Sequence, residues 1–201
     1  MSNYKTYKNV SIGKNCQIGD YVIIGVPPGN KQDGELPTII GDNAVIRSHT
    51  VIYAGNIIGD NFQTGHHVLI REENKIGNNV SIGTNTVVEH HIKIGNNVRT
   101  QASCFIPEYS LLEDEAWLGP NVVLTNARYP RSKNVKENLK GPVIRKNAKL
   151  GANTTVLPCT EIGENCLIGA GSLISKNIPA GVVAFGSPAK IQKNIEDLGE
   201  Y

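Results

Sequence analysis

An aliphatic side chain recurs at every sixth residue over most of this chain, and an α-helix, which needs apolar spacings of three and four, cannot hold that pattern. Counted from Ile40, fifteen unbroken hexads run to Tyr129, and six more in the same register start at Ile144. Position one is Ile, Leu or Val in 19 of these 21 hexads, with Thr64 and Thr100 as the exceptions; position two is Gly in 10. The same phase shows earlier in IGKNCQ and IGDYVI from Ile12. A fixed repeat of this kind predicts a solenoid of short parallel strands, three hexads to a triangular coil of 18 residues. Position one should stack inside, position five should point inward and take small residues, and Gly and Asn at positions two to four should shape the corners. The composition agrees: Ile 23, Asn 22 and Gly 21 of 201 residues, with only 5% aromatic.

Other classes lose support. The net charge of +2 offers no polyanion-binding surface, so no nucleic-acid partner is expected. No apolar run approaches the roughly 18 residues of a membrane span, and residues 1–14 lack an apolar signal core. A cytoplasmic protein with no membrane association is the expectation. Four cysteines without a CxxC pair argue against structural zinc or thiol redox chemistry. Cys16, Cys104 and Cys166 fall at position five and should be core thiols, whereas Cys159, at position four, should be more exposed.

Two stretches leave the phase, 26–38 and 130–143. The first is rich in Pro and Gly, the second polar and basic. Loops of this length in a compact domain are commonly functional. A single domain over 1–201 is expected, with a C-terminal extension over 180–201. In that extension apolar Ile191, Ile195 and Leu198 predict a short amphipathic helix over 191–198.

Residues 18 apart should stack from coil to coil, about 4.8 Å apart. That arithmetic places Glu72, His90, Glu108 and Asn126 in one column, and His49, His67, Asn85, Ser103 and Asn121 in another. An imidazole between carboxylates is held in orientation, as a general base requires. His90 is therefore the candidate base and Glu108 its candidate partner.

Over 12–193 the sequence resembles the hexapeptide-repeat superfamily of left-handed parallel β-helix proteins, most of which are coenzyme-A-dependent acyltransferases working as homotrimers with intersubunit active sites. The handedness comes from that resemblance. The run IGTNTVVEHHIKIGNNV over 82–98 is similar to the catalytic stretch of nucleotide-aminosugar acetyltransferases, whose V-E-H-x-x-x-I-G string puts the base at the place of His90. The departure is His91, where those enzymes have an acidic residue. LGPNVVLTNARYPRS over 118–132 is similar to galactoside and maltose O-acetyltransferases, with Tyr129 where they carry a catalytic histidine. It is also similar to 3-amino-sugar N-acetyltransferases, whose N-P-R string resembles Tyr129-Pro130-Arg131.

The last coils, ending in GSPAK, resemble an acetyl-CoA-binding end. The resemblance implies that Ala152 and Ala170 leave room for the pantetheine arm. Ser175 and Lys176 would lie near the adenosine end, and Lys190 and Lys193 near the coenzyme phosphates. It implies substrate contacts at His67, Asn85, Tyr129 and Arg131.

The expected activity is acetyl transfer from acetyl-CoA to the amino group of a nucleotide-linked amino sugar, by a homotrimer and without a metal. The alternatives are O-acetyl transfer to a sugar or small alcohol, a γ-carbonic-anhydrase-like metalloprotein, and a non-catalytic scaffold. The anhydrase resemblance stops at Gly65-His66, because the second histidine of its G-H-x-x-x-x-H pair is Arg71 here.

Overall fold

The computed structural model describes residues 3–199 and is a left-handed parallel β-helix. Its strands, mostly two residues long, lie in three sheets of nine, eight and ten strands, called here the first, second and third in the order each coil visits them from Val51–Tyr53 onward. Away from the two excursions and the C-terminal turn, pairing is parallel with an offset of 18, as in Leu69 with Val87, Lys75 with Lys93 and Ser81 with Arg99. The constant offset follows from the side-chain period, since a slip by one residue would turn the aliphatic column to solvent.

Position one is buried in every hexad from Ile40 to Ile174, and position five from Ala44 to Ile178 except at Arg128, where the chain leaves the coil. The two threonines in the aliphatic column keep the β-branched shape and satisfy their hydroxyls: Thr64 Oγ1 accepts from Arg47 N–H at 3.0 Å, and Thr100 Oγ1 from Gly83 N–H at 3.1 Å. Position five is more varied than expected. It holds Phe62 between the smaller Ala44 and Val80, and it holds two buried asparagines, Asn56 and Asn74.

The corner residues divide their work by position. Position four is left-handed, as at Asn79 (φ 57°), His91 (φ 58°) and Asn97 (φ 58°). Asn suits it because its short polar side chain tolerates αL. The position-two glycines meet a different demand. A Cβ on Gly77 would lie 2.8 Å from the Gly95 backbone of the next coil, so close stacking, not positive φ, excludes larger residues there.

Cys104 and Cys166 are buried and Cys159 is exposed; Cys16, in the first coil, is only half-buried because little lies beneath it. Burial pushes the Cys104 and Cys166 thiols up, away from nucleophilic use.

Both departures from phase leave from the corner between the first and second sheets. Across the first, Ile23 pairs with Val51, 28 residues on. Across the second, Leu111 pairs with Val143, 32 residues on, so the ladder resumes intact. The second excursion is mostly exposed, with Gly141 and Pro142 buried at its return, and contains one 3-10 turn, Val135–Asn138. At its return Arg145 clips two coils together, donating to Glu161 at 2.8 Å and Glu113 at 2.6 Å.

The helix expected over 191–198 is not formed. Strand Val182–Gly186 extends the third sheet and turns back into the antiparallel strand Ala189–Asn194, leaving only a 3-10 turn at Ile195–Leu198. The pairing of Val183 with Lys193 and Phe185 with Lys190 claims the backbone that a helix would have used. Residues 1, 2, 200 and 201 lie outside the described residues, so the expectations for both chain ends are addressed only within 3–199.

Candidate active site

The corner between the first and second sheets gathers the charged residues of four successive coils. Position three supplies Glu72, His90, Glu108 and Asn126; position four supplies Glu73, His91 and Tyr109. The buried asparagines lie under these turns. Asn74 Oδ1 accepts from Ile92 N–H at 2.7 Å and its amide donates to Arg71 O at 2.8 Å, while Asn56 donates to the same carbonyl at 2.8 Å. They tie the turn carrying Arg71 and Glu72 to the turn carrying His90 and His91.

On that support the expected pair forms. His90 Nε2 lies 3.5 Å from Glu108 Oε1, and Glu108 Oε2 accepts from Asn126 Nδ2 at 2.6 Å. Each side chain of the His90–Glu108 pair keeps 24% of its surface exposed, sheltered yet reachable. Glu72 turns away from His90. Its carboxylate takes both forks of Arg71 at 2.8 Å. Burial alone would push the Glu72 carboxyl up, but the guanidinium hydrogen bonds outweigh it and hold the group below the usual carboxylate range. Arg71 also reaches Glu89 at 3.3 Å. There burial prevails, with Glu108 and Glu72 acting in the same direction, and the Glu89 carboxyl is pushed up.

Sequence reasoning missed the next layer. His91 Nδ1 lies 2.8 Å from His90 Nδ1, and His91 Nε2 lies 3.5 Å from Glu73 Oε2. The Tyr109 ring faces both imidazoles, at 6.0 and 5.8 Å. Counting by eighteens along position four would have aligned Glu73, His91 and Tyr109, but the contact between neighbouring histidines is set by side-chain rotamers, which no period shows.

The remaining candidates lie elsewhere. His67 and Asn85 are on the corner between the third and first sheets. There Tyr21, His49 and His67 stack at 5.0 and 4.6 Å, and His66 Nδ1 meets Ser48 Oγ at 2.7 Å. Ala152 and Ala170 share that corner higher up, where Gly171 N–H donates to Ala152 O at 2.8 Å. Tyr129, where the coil gives way to the second excursion, and Arg131 on it stand exposed, and the excursion stays tied to the His90 corner by a bond from Lys140 N–H to Asn126 O at 3.1 Å.

Ser175, Lys176 and Lys190 come together. With Pro188 and Ile191 they line a cleft of about 390 Å³ between the last turn of the coil and the returning strand. Lys193 is on the same strand, exposed. Small residues along the alanine column and three exposed lysines beside the cleft suit an extended ligand with anionic groups at one end. Among the described residues no group of three or more His, Cys, Asp or Glu is placed to hold a metal, and no helix is long and apolar enough to cross a membrane.

Comparison with known proteins agrees with this architecture. A family model for the bacterial transferase hexapeptide (six repeats) matches residues 75–108 and 141–176, and one for the hexapeptide repeat of succinyl-transferase matches 9–31. The chain is 43% identical over 83 residues to a galactoside O-acetyltransferase of Lactococcus lactis, covering 39% of this chain and 40% of that one. It is 36% identical over 92 residues to a serine acetyltransferase of Buchnera aphidicola, covering 46% and 33%. The matches thus span two-fifths or less of these relatives' lengths. Among solved structures, a UDP-N-acetylglucosamine acyltransferase from Bacteroides fragilis aligns over 96% of this chain and 75% of its own, with TM-score 0.62 and 18% identity. The polySia specific acetyltransferase NeuO aligns over 96% and 80%, with TM-score 0.56 and 18% identity. At that identity the likeness is one of fold.

Proposed function

We propose that this hexapeptide-repeat protein, with the left-handed β-helix fold shared by those acyltransferases, transfers an acetyl group from acetyl-CoA to the amino group of a nucleotide-linked amino sugar. The observation that carries the reading is His90, half-sheltered and held beside Glu108 on the corner from which the second excursion projects. Acetyl-CoA supplies an activated thioester acyl group. Lys190 and Lys193 bind its phosphates, Ser175 and Lys176 lie near its adenosine end, and Ala152 and Ala170 leave space for its arm. His90 takes the acceptor's proton as the amine attacks. Glu72, Glu73, Glu89 and Glu108 around that imidazole, with Arg71 paired among them, favour drawing in an ammonium, which gives one proton to solvent before it attacks as the amine. Tyr129 and Arg131 on the excursion, and His67 and Asn85 on the other corner, contact the acceptor.

A trimer supports this arrangement. The outward side chains of the first sheet form an apolar column, with Ile23, Val51, Leu69, Val87, Phe105 and Val123 paired in sequence. Phe105 and Val123 are each 37% exposed. Apolar surface of this extent marks a contact face. Within one chain the His90 corner and the alanine corner border opposite sides of that sheet. Packing copies around a three-fold axis sets the corner of one against the other corner of its neighbour.

Transfer to a hydroxyl is the second reading, favoured by the names of curated relatives such as the galactoside O-acetyltransferase. Thiol release from acetyl-CoA, measured across amino-sugar nucleotides and matched alcohols, tests both. His90→Ala should lower kcat about a hundredfold or more. Unchanged turnover in that variant would remove His90 as base, and turnover with alcohols alone would install the second reading.

A further inference from the structure

We infer that His91 and Glu73 position the His90 base and that the two imidazoles act as one unit taking up a single proton, an inference that rests on the role proposed above for His90. Two ring nitrogens 2.8 Å apart need a proton between them, since two bare lone pairs would repel. A neutral pair carries two protons for three places: the Nδ1–Nδ1 bridge, the His91 Nε2 facing Glu73, and the His90 Nε2 facing Glu108. One end must therefore be bare.

The carboxylates decide which end. Glu108 already accepts from Asn126 at 2.6 Å. The Glu73 carboxylate has no other hydrogen bond among the described residues, so it draws the proton to His91 Nε2. His91 then accepts at Nδ1 from His90 Nδ1–H, and His90 Nε2 is left bare. A bare nitrogen and a carboxylate oxygen 3.5 Å apart are two acceptors facing each other. An incoming amine satisfies both by bridging them from the open side with its N–H groups.

The charged groups around the pair are consistent with this assignment. Arg71 is committed to Glu72 and Glu89, and Tyr109 meets the rings by its own ring. Glu108 and Glu73 are thus the carboxylates left to balance an imidazolium. In the reaction the lone pair of the neutral amine forms the new N–C bond, an N–H proton passes to His90 Nε2, and that N–H electron pair stays on nitrogen as the amide lone pair. The C–S bond breaks with its electrons on sulfur, and the thiolate takes the proton from His90 Nε2. Glu73 and Glu108 flank the charge while it is held.

The test is the ring-nitrogen spectrum of ¹⁵N-histidine-labelled protein at about pH 8, where free imidazole is neutral. The expected result is His90 protonated at Nδ1 and bare at Nε2, with His91 protonated at Nε2 and bare at Nδ1. The opposite tautomers, or averaged signals from both rings, would overturn the inference. This readout needs no acetyl transfer, so it stands or falls apart from the transferase reading. In the thiol-release assay His91→Ala should lower kcat about tenfold with the acetyl-CoA KM unchanged, and His91→Gln, which keeps an acceptor, should recover part of it. Glu73→Ala should likewise lower kcat with the acetyl-CoA KM unchanged, and in its ¹⁵N spectrum the proton should no longer sit on His91 Nε2 alone. Wild-type kcat in both His91→Ala and Glu73→Ala, with the ring tautomers unchanged in the latter, would count against any positioning role.

Discussion

Arg71 illustrates how one side chain holds the candidate site's charge in order. It occupies a position-two place where many hexads carry glycine, and from there its guanidinium reaches Glu72 in its own turn and Glu89 in the next. Glu72 is only 8% exposed, so without that partner its charge would be buried and uncompensated. Arg71→Leu should destabilise the fold by about 1–3 kcal/mol near pH 7. The sign with pH follows from the Glu72 carboxyl, which the native fold holds below its usual value. Its stabilisation is complete above the unfolded value, about 4.3, and is lost as pH falls through the lower folded one. Urea unfolding should therefore show the gap between variant and wild type narrowing as pH falls below about 4; a constant gap would mean that Arg71 acts by packing alone. At this scale the sequence told which residues share a column but not which partner each chooses. Glu72 and Glu108 both lie 18 residues from His90, and only the competing guanidinium separates their roles.

Among the elements, the strands were legible and the C-terminal hairpin was not. Inward and outward positions follow from a period of six because every coil repeats the same environment, so errors at single residues such as Thr64 or Phe62 do not disturb the pattern. Ile191, Ile195 and Leu198 offered no such repetition. Their spacing fits a helix, yet the strand Val182–Gly186 alongside supplies hydrogen bonds that local spacing cannot reveal. The 130–143 excursion was visible as a break in phase, and the resumed pairing of Leu111 with Val143 shows that it adds nothing to the ladder. Replacing residues 128–140 with a short Gly-Ser link should therefore leave the far-UV circular dichroism and the melting temperature nearly unchanged, as inserted loops carry little stability. Acetyl transfer should fall sharply, because Tyr129 and Arg131 go with the loop. Retained turnover with the same acceptor KM would relegate the excursion to decoration.

For the whole molecule, the apolar column on the first sheet is the feature that a single chain leaves unexplained. Phe105→Glu combined with Val87→Lys puts charge in the middle of that face without touching positions one or five. Light scattering should report monomers in place of the proposed trimers, with β-sheet content preserved. Transfer should be lost with them, since in the proposed packing the corner carrying His90 faces the alanine corner of a neighbour. A fully active monomer would place the complete site within one chain.

A helix wound from parallel strands ends in open rows of amide and carbonyl groups, and such a row can template another chain just as one coil templates the next. In the ten-stranded sheet the terminal strand is Ala189–Asn194, reversed in direction and exposed at every residue after the first. Its sequence, AKIQKN, sets Lys190 and Lys193 along the free border. Polymerisation end to end would bring these cations against those of another copy or against desolvated backbone. The lysines proposed to meet coenzyme phosphates thus have a second consequence: on this border strand they disfavour pairing with the edge of another chain.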